Sequence, residues 1–345
     1  MKAPESFPSL EKSPETIDVS AATVASELHP EWNEDSLFVR KEQEFFGILD
    51  GVGGEAAGGV ASAEASKYIV SKLETLKDNS TLPEMHDDLR KAVEGANSHI
   101  LSLGSQNPEL RGMGTTACVA KIVNGSKGER HVAVANIGDS RAYRVKPDGT
   151  MLQITLDDNA IKRDAGDKAW EVQKKLNETT DIGLLNEQEL GFFKIRHQID
   201  YLGVDNNIKV ATHTARMSAG DSILLVSDGV SDNLTDTEMG HILASSENTD
   251  QATEWLIRAA QMRSREDHDR AKPDDMSAIV VEFVPRSLLS YVERSLNVRR
   301  SNGQLDGNWK VHSYDYASGY VIVIKEEGDN ILKKEVLVQE LVEDN

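Results

Sequence analysis

The chain has 345 residues, 58 of them acidic against 38 basic, for a formal charge of −20. That excess of acid opposes nucleic-acid binding, which draws on Lys and Arg to displace counterions, and it opposes a polybasic membrane anchor. The single cysteine, Cys118, excludes an internal disulfide and a cysteine-based zinc site, and no apolar run approaches the roughly 18–20 residues of a spanning helix.

Residues 1–20 are rich in Pro, Ser, Glu and Lys without a period and read as a disordered tail. They hold no apolar stretch of the kind a secretory signal needs, so a cytoplasmic location is expected. Residues 21–285 then alternate strand-like and helix-like segments. Ser36–Asp50 carries two apolar stretches split by a polar RKEQE, the pattern of a hairpin. Residues 55–78 predict a helix weakened at Gly58 and Gly59. Pro83–Leu103 predicts a second, with Met85, Leu89, Val93, Ala96 and Ile100 on one stripe.

Three strands are expected over Thr115–Val123, His131–Ile137 and Arg141–Val145, and a turn at Asp148-Gly149 leads into Met151–Thr155. Residues 157–200 are charged and helically spaced, and look like an inserted subdomain. Strands at Ile208–His213 and Ser222–Ser227, helices at Leu234–Ala244 and Gln251–Ser264, and a strongly apolar strand at Ser277–Val284 complete this part. The run RSREDHDR at 263–270 reads as a solvated helix end. After Pro285 the texture changes. Arg286–Val298 predicts a short amphipathic helix, and 308–340 gives three short β patterns, so 286–345 is expected to be a linker helix plus a small β-rich module.

The informative feature is where the aspartates sit. FFGILD ends in Asp50 and SILLVSD ends in Asp228, each followed by glycine. Asp274-Asp275 stands just before SAIVVEF, Asn33-Glu34-Asp35 just before SLFV, and Asp139 lies between two strands. An Asp at the edge of an apolar strand is costly unless it is paired or wet. Several such carboxylates converging at one end of a sheet, without His or Cys partners, suit a hard cation such as Mg²⁺ or Mn²⁺. Two such ions bridged by one carboxylate can activate a water and clamp a phosphate. Any one Asp-Gly by itself is more often a plain turn; the weight rests on the set.

Seven segments carry a resemblance: NED at 33–35, DGVGG at 50–54, GMGTT at 112–116, NIGDSRAY at 136–143, YLG at 201–203, SDGVSDNL at 227–234 and DDMSAIVV at 274–281. In this order, over about residues 30–285, the chain resembles the metal-dependent protein phosphatases of the PPM (type 2C) family. The resemblance implies an α+β fold: a four-layer α-β-β-α sandwich of two central antiparallel sheets flanked by helices. The inserted segment at about 157–200 would be its flap. It implies metal-dependent hydrolysis of phosphoserine and phosphothreonine in proteins, with two core Mn²⁺ or Mg²⁺ ions and a weaker third. The partners implied are phosphoprotein substrates and an opposing serine/threonine kinase.

By motif position, Asp50 resembles the carboxylate that bridges both ions, and Gly51 offers its carbonyl. Asp228 and Asp274 resemble the remaining ligands of one ion, and these three aspartates are the catalytic set. Glu34 and Asp35 resemble the acidic pair that holds the second ion, directly or through water. Asp139 resembles a ligand of the third ion, shared with Asp228. Asp275 stands where the family usually has Asn and would support the ligands from behind.

Two departures stand out. Where the family often has a phosphate-gripping Arg, this chain has Pro30 with His29 beside it. His29 is a candidate for a pH-dependent contact, though a structural role is the commoner one; Arg40 and Arg111 are alternatives without motif support. Val52 stands where many members have a His, and it cannot transfer a proton. The alternative reading is a pseudophosphatase, a phosphoprotein-binding or scaffold protein without turnover. Cys118 is expected to be a buried, inert thiol, and Arg141 a structural partner of nearby acids.

Overall fold

The structure is a computed structural model that describes residues 15–52, 56–76, 80–125, 129–285, 296–299, 305–315, 320–327, 330–337 and 341–343. The chain divides into two compact units. One comprises residues 19–217 and 222–281; the other comprises 1–18, 218–221 and 282–345. Among the described residues no helix is long and apolar enough to cross a membrane.

The larger unit is built on two five-stranded sheets. The strands in chain order are β1 (Glu15–Val24), β2 (Ser36–Arg40), β3 (Phe45–Leu49), β4 (Gly51–Val52), β5 (Gly114–Thr115), β6 (Ala117–Asn124), β7 (Arg130–Ile137), β8 (Arg141–Val145), β9 (Met151–Gln153), β10 (Ala211–Met217), β11 (Ser222–Val226) and β12 (Met276–Pro285). One sheet has the order β10-β7-β6-β3-β2 and the other β1-β12-β11-β8-β9; β4 and β5 pair as a short ribbon. β11 touches β3 and β6 touches β8, so the sheets stack. Their strands are buried on both faces: Phe46, Ile48, Cys118 and Ala120 on one set of positions, Phe45, Leu49, Ala117 and Val119 on the other. This is why they read as continuous apolar runs rather than alternating ones.

Helices cover the outer faces. α1 (Ala56–Leu73) and α2 (Leu82–Gln106) pack on the first sheet, burying Ala61, Ala65, Ile69, Met85, Leu89, Val93 and Ile100 with Val119, Ala133 and Ala135. α2 starts where expected, because the Thr81 amide donates to Glu84 Oε2 at 2.8 Å and Pro83 fits the first turn. α7 (Asp236–Ser245) and α8 (Thr249–Arg263) cover the second sheet, with Met239, Leu256, Ile257 and Ala260 against Leu224, Val226, Ala278 and Val280. The expected four layers are therefore present. The segment 157–200 forms α3 (Ala160–Ala165), α4 (Ala169–Glu178) and α5 (Glu187–Ile195), which share a small core of Ile161, Leu176, Phe192 and Phe193.

Four expectations need correction. Residues 15–20 are not tail but the start of β1; Ile17 is buried, and the apolar-polar alternation of ETIDVSAATV suffices for an edge strand. The strand expected from Ile208 begins at Ala211. The strand before Asp228 stops at Val226, because Ser227 caps a short helix, α6 (Asp228–Ser231). Of the helix expected over Arg286–Val298, 286–295 lie outside the described residues, and Leu296 begins a strand.

In the second unit that strand, β13 (Leu296–Arg299), joins β14 (Leu305–Asp315), β15 (Tyr320–Glu327), β16 (Asn330–Leu337) and β17 (Leu341–Glu343) in the order β16-β15-β14-β13-β17. All its pairings are antiparallel. The three β patterns expected after 308 correspond to β14, β15 and β16. Trp309 and Val323 are buried here.

Candidate metal centre

The registers bring the aspartates to one place. Ser36 pairs with Leu49, so Asp35 and Asp50 sit abreast at one end of the β2–β3 hairpin. Ile48 pairs with Cys118 and Ala117 with Ile137, which puts Asp139, just past β7, at the same end. In the other sheet Arg141 pairs with Val226, so Asp139 and Asp228 flank neighbouring strand ends. The Ser227 amide donates to the Ser277 carbonyl at 3.1 Å, and this places Asp274 and Asp275, just before β12, beside Asp228.

Local hydrogen bonds explain the motif residues. Thr115 Oγ1 and the Thr116 amide both donate to the Asp50 carbonyl, at 2.9 and 2.8 Å, and the Asp50 amide donates to Thr116 Oγ1 at 2.9 Å. Thr116 Oγ1 also meets Ser140 Oγ at 2.8 Å, tying GMGTT to GDSR. Ser227 Oγ donates to Asp35 Oδ2 at 2.8 Å. Asp275 uses both carboxylate oxygens on backbone amides. Its Oδ1 accepts the Ser26 amide at 2.7 Å and its Oδ2 the Glu34 amide at 2.6 Å, so it fixes the loop that carries Glu34 and Asp35.

The glycines after Asp50 and Asp228 serve close approach rather than left-handed turns. A Cβ on Gly229 would lie 1.9 Å from the Asp275 carbonyl oxygen, and one on Gly51 would lie 2.5 Å from the Gly58 carbonyl. Gly58 in turn faces Glu34 Oε1. The glycines that weaken α1 are thus what lets it pack against this corner.

The electrostatics are those of crowded carboxylates. Burial, then repulsion from Asp35, Asp228 and Asp274, pushes Asp50 well above the ordinary range. Burial and Asp228 do the same to Asp139. Burial lifts Asp35 to about 7, and burial with Asp228 lifts Asp274 to about 6. Four buried oxygens, Glu34 Oε1, Asp35 Oδ1, Asp139 Oδ1 and Asp228 Oδ1, have no hydrogen-bond partner among the described residues. Buried carboxylate oxygens left unpartnered are expensive, and an all-oxygen set of this kind fits hard divalent cations. Glu34 lies beside this group, with Asp275, His29 and Asp274 in its field.

Several residues here carried no sequence signal. Lys272 Nζ pairs with Asp228 Oδ2, lies 2.9 Å from Asp274 Oδ2 and 3.4 Å from Asp232 Oδ2. Asp232 also pairs with Arg196 at 3.5 Å and His197 at 3.3 Å, both just past α5. Burial alone would raise Asp232, but Lys272, Arg196 and His197 hold it below the usual carboxylate range. His197 has a ring nitrogen grouped with Asp139 and Asp228 oxygens within 4.8 Å. Lys272, Arg196 and His197 look, in sequence, like ordinary solvated charges; Asp232 falls inside the SDGVSDNL motif without a role assigned to it.

The remaining candidates have surroundings of their own, and His29 also has a ring nitrogen grouped with Glu34 and Asp275 oxygens within 4.8 Å. His29 stacks on Trp32 at 5.2 Å, meets the Trp32 carbonyl at 3.1 Å and faces Asp275 at 3.7 Å. Arg40 pairs with Glu74 at 3.0 Å on β2. Arg111 is exposed. Arg141 forms a buried two-pronged pair with Asp157 at 3.0 and 2.9 Å, the partner role expected of it. Cys118 is buried, and burial pushes its thiol up, as an inert thiol requires. Arg270 departs from the solvated reading of 263–270. It is buried and donates to the carbonyls of Leu176, Thr179, Ser231 and Leu234 at 2.7–3.2 Å, which fastens α4 to the loop after Asp228.

Two stacked antiparallel sheets with helices outside and a carboxylate cage at one end define a metal-dependent phosphatase. A family model described as protein phosphatase 2C matches residues 29–271, and the chain belongs to that family. It is 29% identical over 239 residues to the serine/threonine phosphatase stp of Listeria welshimeri, covering 68% of this chain and 87% of that protein. The solved catalytic domain of the phosphatase PstP in complex with two manganese ions is 25% identical, with a TM-score of 0.59 over 78% of this chain and 99% of that one. Staphylococcus aureus Stp1 shares the fold, with a TM-score of 0.62 at 24% identity over 78% of this chain and 95% of that one.

Proposed function

We propose that this chain hydrolyses phosphoserine and phosphothreonine in proteins, in the cytoplasm, and opposes a serine/threonine kinase in a signalling pair. The observation that carries the reading is the meeting of Asp35, Asp50, Asp139, Asp228 and Asp274 at one end of both sheets. Relatives named serine/threonine phosphatases support the substrate class.

In this reading Asp50, Asp228 and Asp274 would hold one ion. Asp50, the Gly51 carbonyl, and Glu34 and Asp35 directly or through water, would hold the second, and Asp139 with Asp228 would hold a third. Mn²⁺ or Mg²⁺ bound there supplies an activated water and charge neutralisation for in-line attack on phosphorus. The protein's own share is rigidity and charge placement. Thr115 and Thr116 hold the Asp50 backbone, Ser227 orients Asp35, and Asp275 fixes the Glu34 amide. Val52 leaves the side chain at that position without a proton to give. The helical segment 157–200 is the flap beside the centre, and Arg270 anchors it. The described strands after residue 285, β13–β17, make up a small β-rich module.

The test is hydrolysis of a phosphothreonine peptide and an aryl phosphate by the full chain, with Mn²⁺, Mg²⁺ or EDTA and with Asp228→Asn as control. Turnover that needs metal and disappears in D228N is expected. Folded, metal-loaded protein that hydrolyses neither compound would favour the binding-only alternative.

A further inference from the structure

The cage contains a cation of its own. Lys272 Nζ sits among the carboxylates of Asp228, Asp232 and Asp274, two of which are the expected ligands of one ion. Its place is built rather than accidental. The Lys272 amide donates to Asn233 Oδ1 at 3.0 Å, and Asn233 Nδ2 donates back to the Lys272 carbonyl at 2.8 Å and to the Gly229 carbonyl at 2.7 Å. Asn233 is buried within the SDGVSDNL segment, so the lysine's backbone is locked to the loop that carries Asp228. Pro273, next in the chain, stiffens the approach to Asp274.

We propose that Lys272 is a tethered competitor for the divalent ion: it neutralises the cage when no ion is held, and must leave Asp228 Oδ2 and Asp274 Oδ2 before an ion can take them. The inference rests on the metal-centre reading above. An ammonium and a divalent ion cannot share the same oxygens, and a displaced Nζ, still held by a pinned backbone, repels the incoming charge at short range. Lys272 therefore raises the ion concentration at which the centre fills. It also supports the fold below that concentration, because Asp228 and Asp274 would otherwise repel each other with only the Arg196 and His197 charges around Asp232 nearby. Such a chain would respond to the level of free Mn²⁺ rather than hold the ion permanently.

The experiment is calorimetric titration of the full-length chain with Mn²⁺, for wild type, Lys272→Gln, Lys272→Met and D228N. Thermal melts in EDTA and in saturating Mn²⁺ accompany it. K272Q and K272M are expected to bind Mn²⁺ at least about tenfold more tightly than wild type. In EDTA they should melt below wild type, and in Mn²⁺ that deficit should vanish. Variants that fold only once Mn²⁺ is added support the proposal equally. Wild-type affinity, or weaker, in folded variants overturns it, and so does failure to fold even in saturating Mn²⁺, which would make Lys272 a purely structural residue. If neither wild type nor variants bind Mn²⁺ at all, the metal-centre reading itself falls, a result distinct from equal binding by both.

Discussion

Asp50 and Thr116 hold each other twice: the Asp50 amide donates to Thr116 Oγ1 at 2.9 Å, and the Thr116 amide donates to the Asp50 carbonyl at 2.8 Å. This reciprocal pair connects the end of β3 to the start of β6 and fixes the backbone of the central carboxylate. The hydroxyl also meets Ser140, one residue past Asp139. A single buried side chain thus coordinates two of the loops that carry acid.

Thr116→Val keeps the shape and removes the hydroxyl. The Asp50 amide then loses its acceptor and Ser140 its partner. Leaving buried polar groups unsatisfied costs about 1–3 kcal/mol. A fall of that size is expected in denaturant unfolding. The accompanying displacement of Asp50 should lower kcat by roughly tenfold to a hundredfold, measured on a phosphothreonine peptide with Mn²⁺. A variant of wild-type kcat would show that the reciprocal pair does not position the centre.

Gly229→Ala probes the close approach of the two loops that bear Asp228 and Asp274. The added Cβ would meet the Asp275 carbonyl oxygen at 1.9 Å, a backbone atom that no rotamer change can move aside. Overpacking of this kind costs roughly 3 kcal/mol. The two loops must separate, so Mn²⁺ affinity should fall together with stability. Unchanged Mn²⁺ binding by calorimetry would mean that the two carboxylates do not act on one ion.

The acids at strand ends were legible in the sequence because a charge that terminates an apolar run has few explanations. The sandwich, and the gathering of Asp35, Asp50, Asp139, Asp228 and Asp274, are expected from the resemblance of the seven motifs; the strand order, with β1 beside β12 and β10 beside β7, joins segments far apart in the chain and has no local signal. Lys272 and His197 could not be expected. Each belongs to a polar stretch, and only the fold shows that it points inward. Arg270 was hidden for the same reason, since its partners are carbonyls, which have no sequence signature. β1 was obscured by the Pro- and Ser-rich residues before it, although Ile17 and Val19 already alternate with polar neighbours.

His213, on β10, gives a pH dependence that is separate from the carboxylate cage. Burial, then the nearby charges of Lys162 and His86, lowers it from an ordinary value of 6.5 to about 4. His86 Nε2 meets the His213 carbonyl at 3.1 Å and Thr214 Oγ1 at 2.8 Å. Between pH 6.5 and 4 the unfolded chain takes up a proton at this position that the folded chain refuses. Stability contributed by the neutral ring is therefore complete above pH 6.5 and declines as pH falls toward 4. His213→Gln should flatten that part of the curve of unfolding free energy against pH. The check is urea unfolding at half-unit intervals from pH 7.5 to 4. An identical slope in the variant would assign the acid sensitivity elsewhere.

Arg270 offers the sharpest test of how the helical segment 157–200 is held. Its guanidinium, buried and brought down to about 10 by that burial, spreads donors over four carbonyls from α4 and from the loop after Asp228. Lysine carries the same charge but cannot reproduce the planar fork. Arg270→Lys should leave at least two carbonyls unsatisfied and cost about 2–4 kcal/mol. The loss should be local. Amides of residues 176–184 are expected to exchange faster with deuterium, while those of β6 and β7 keep their protection. With the ligand carboxylates untouched, Mn²⁺ affinity should persist and KM for a phosphopeptide should rise more than kcat falls. Uniform loss of protection across the sheets would instead make Arg270 a keystone of the whole unit. A fall in kcat with KM unchanged would place its influence on the carboxylate loop rather than on the helical segment.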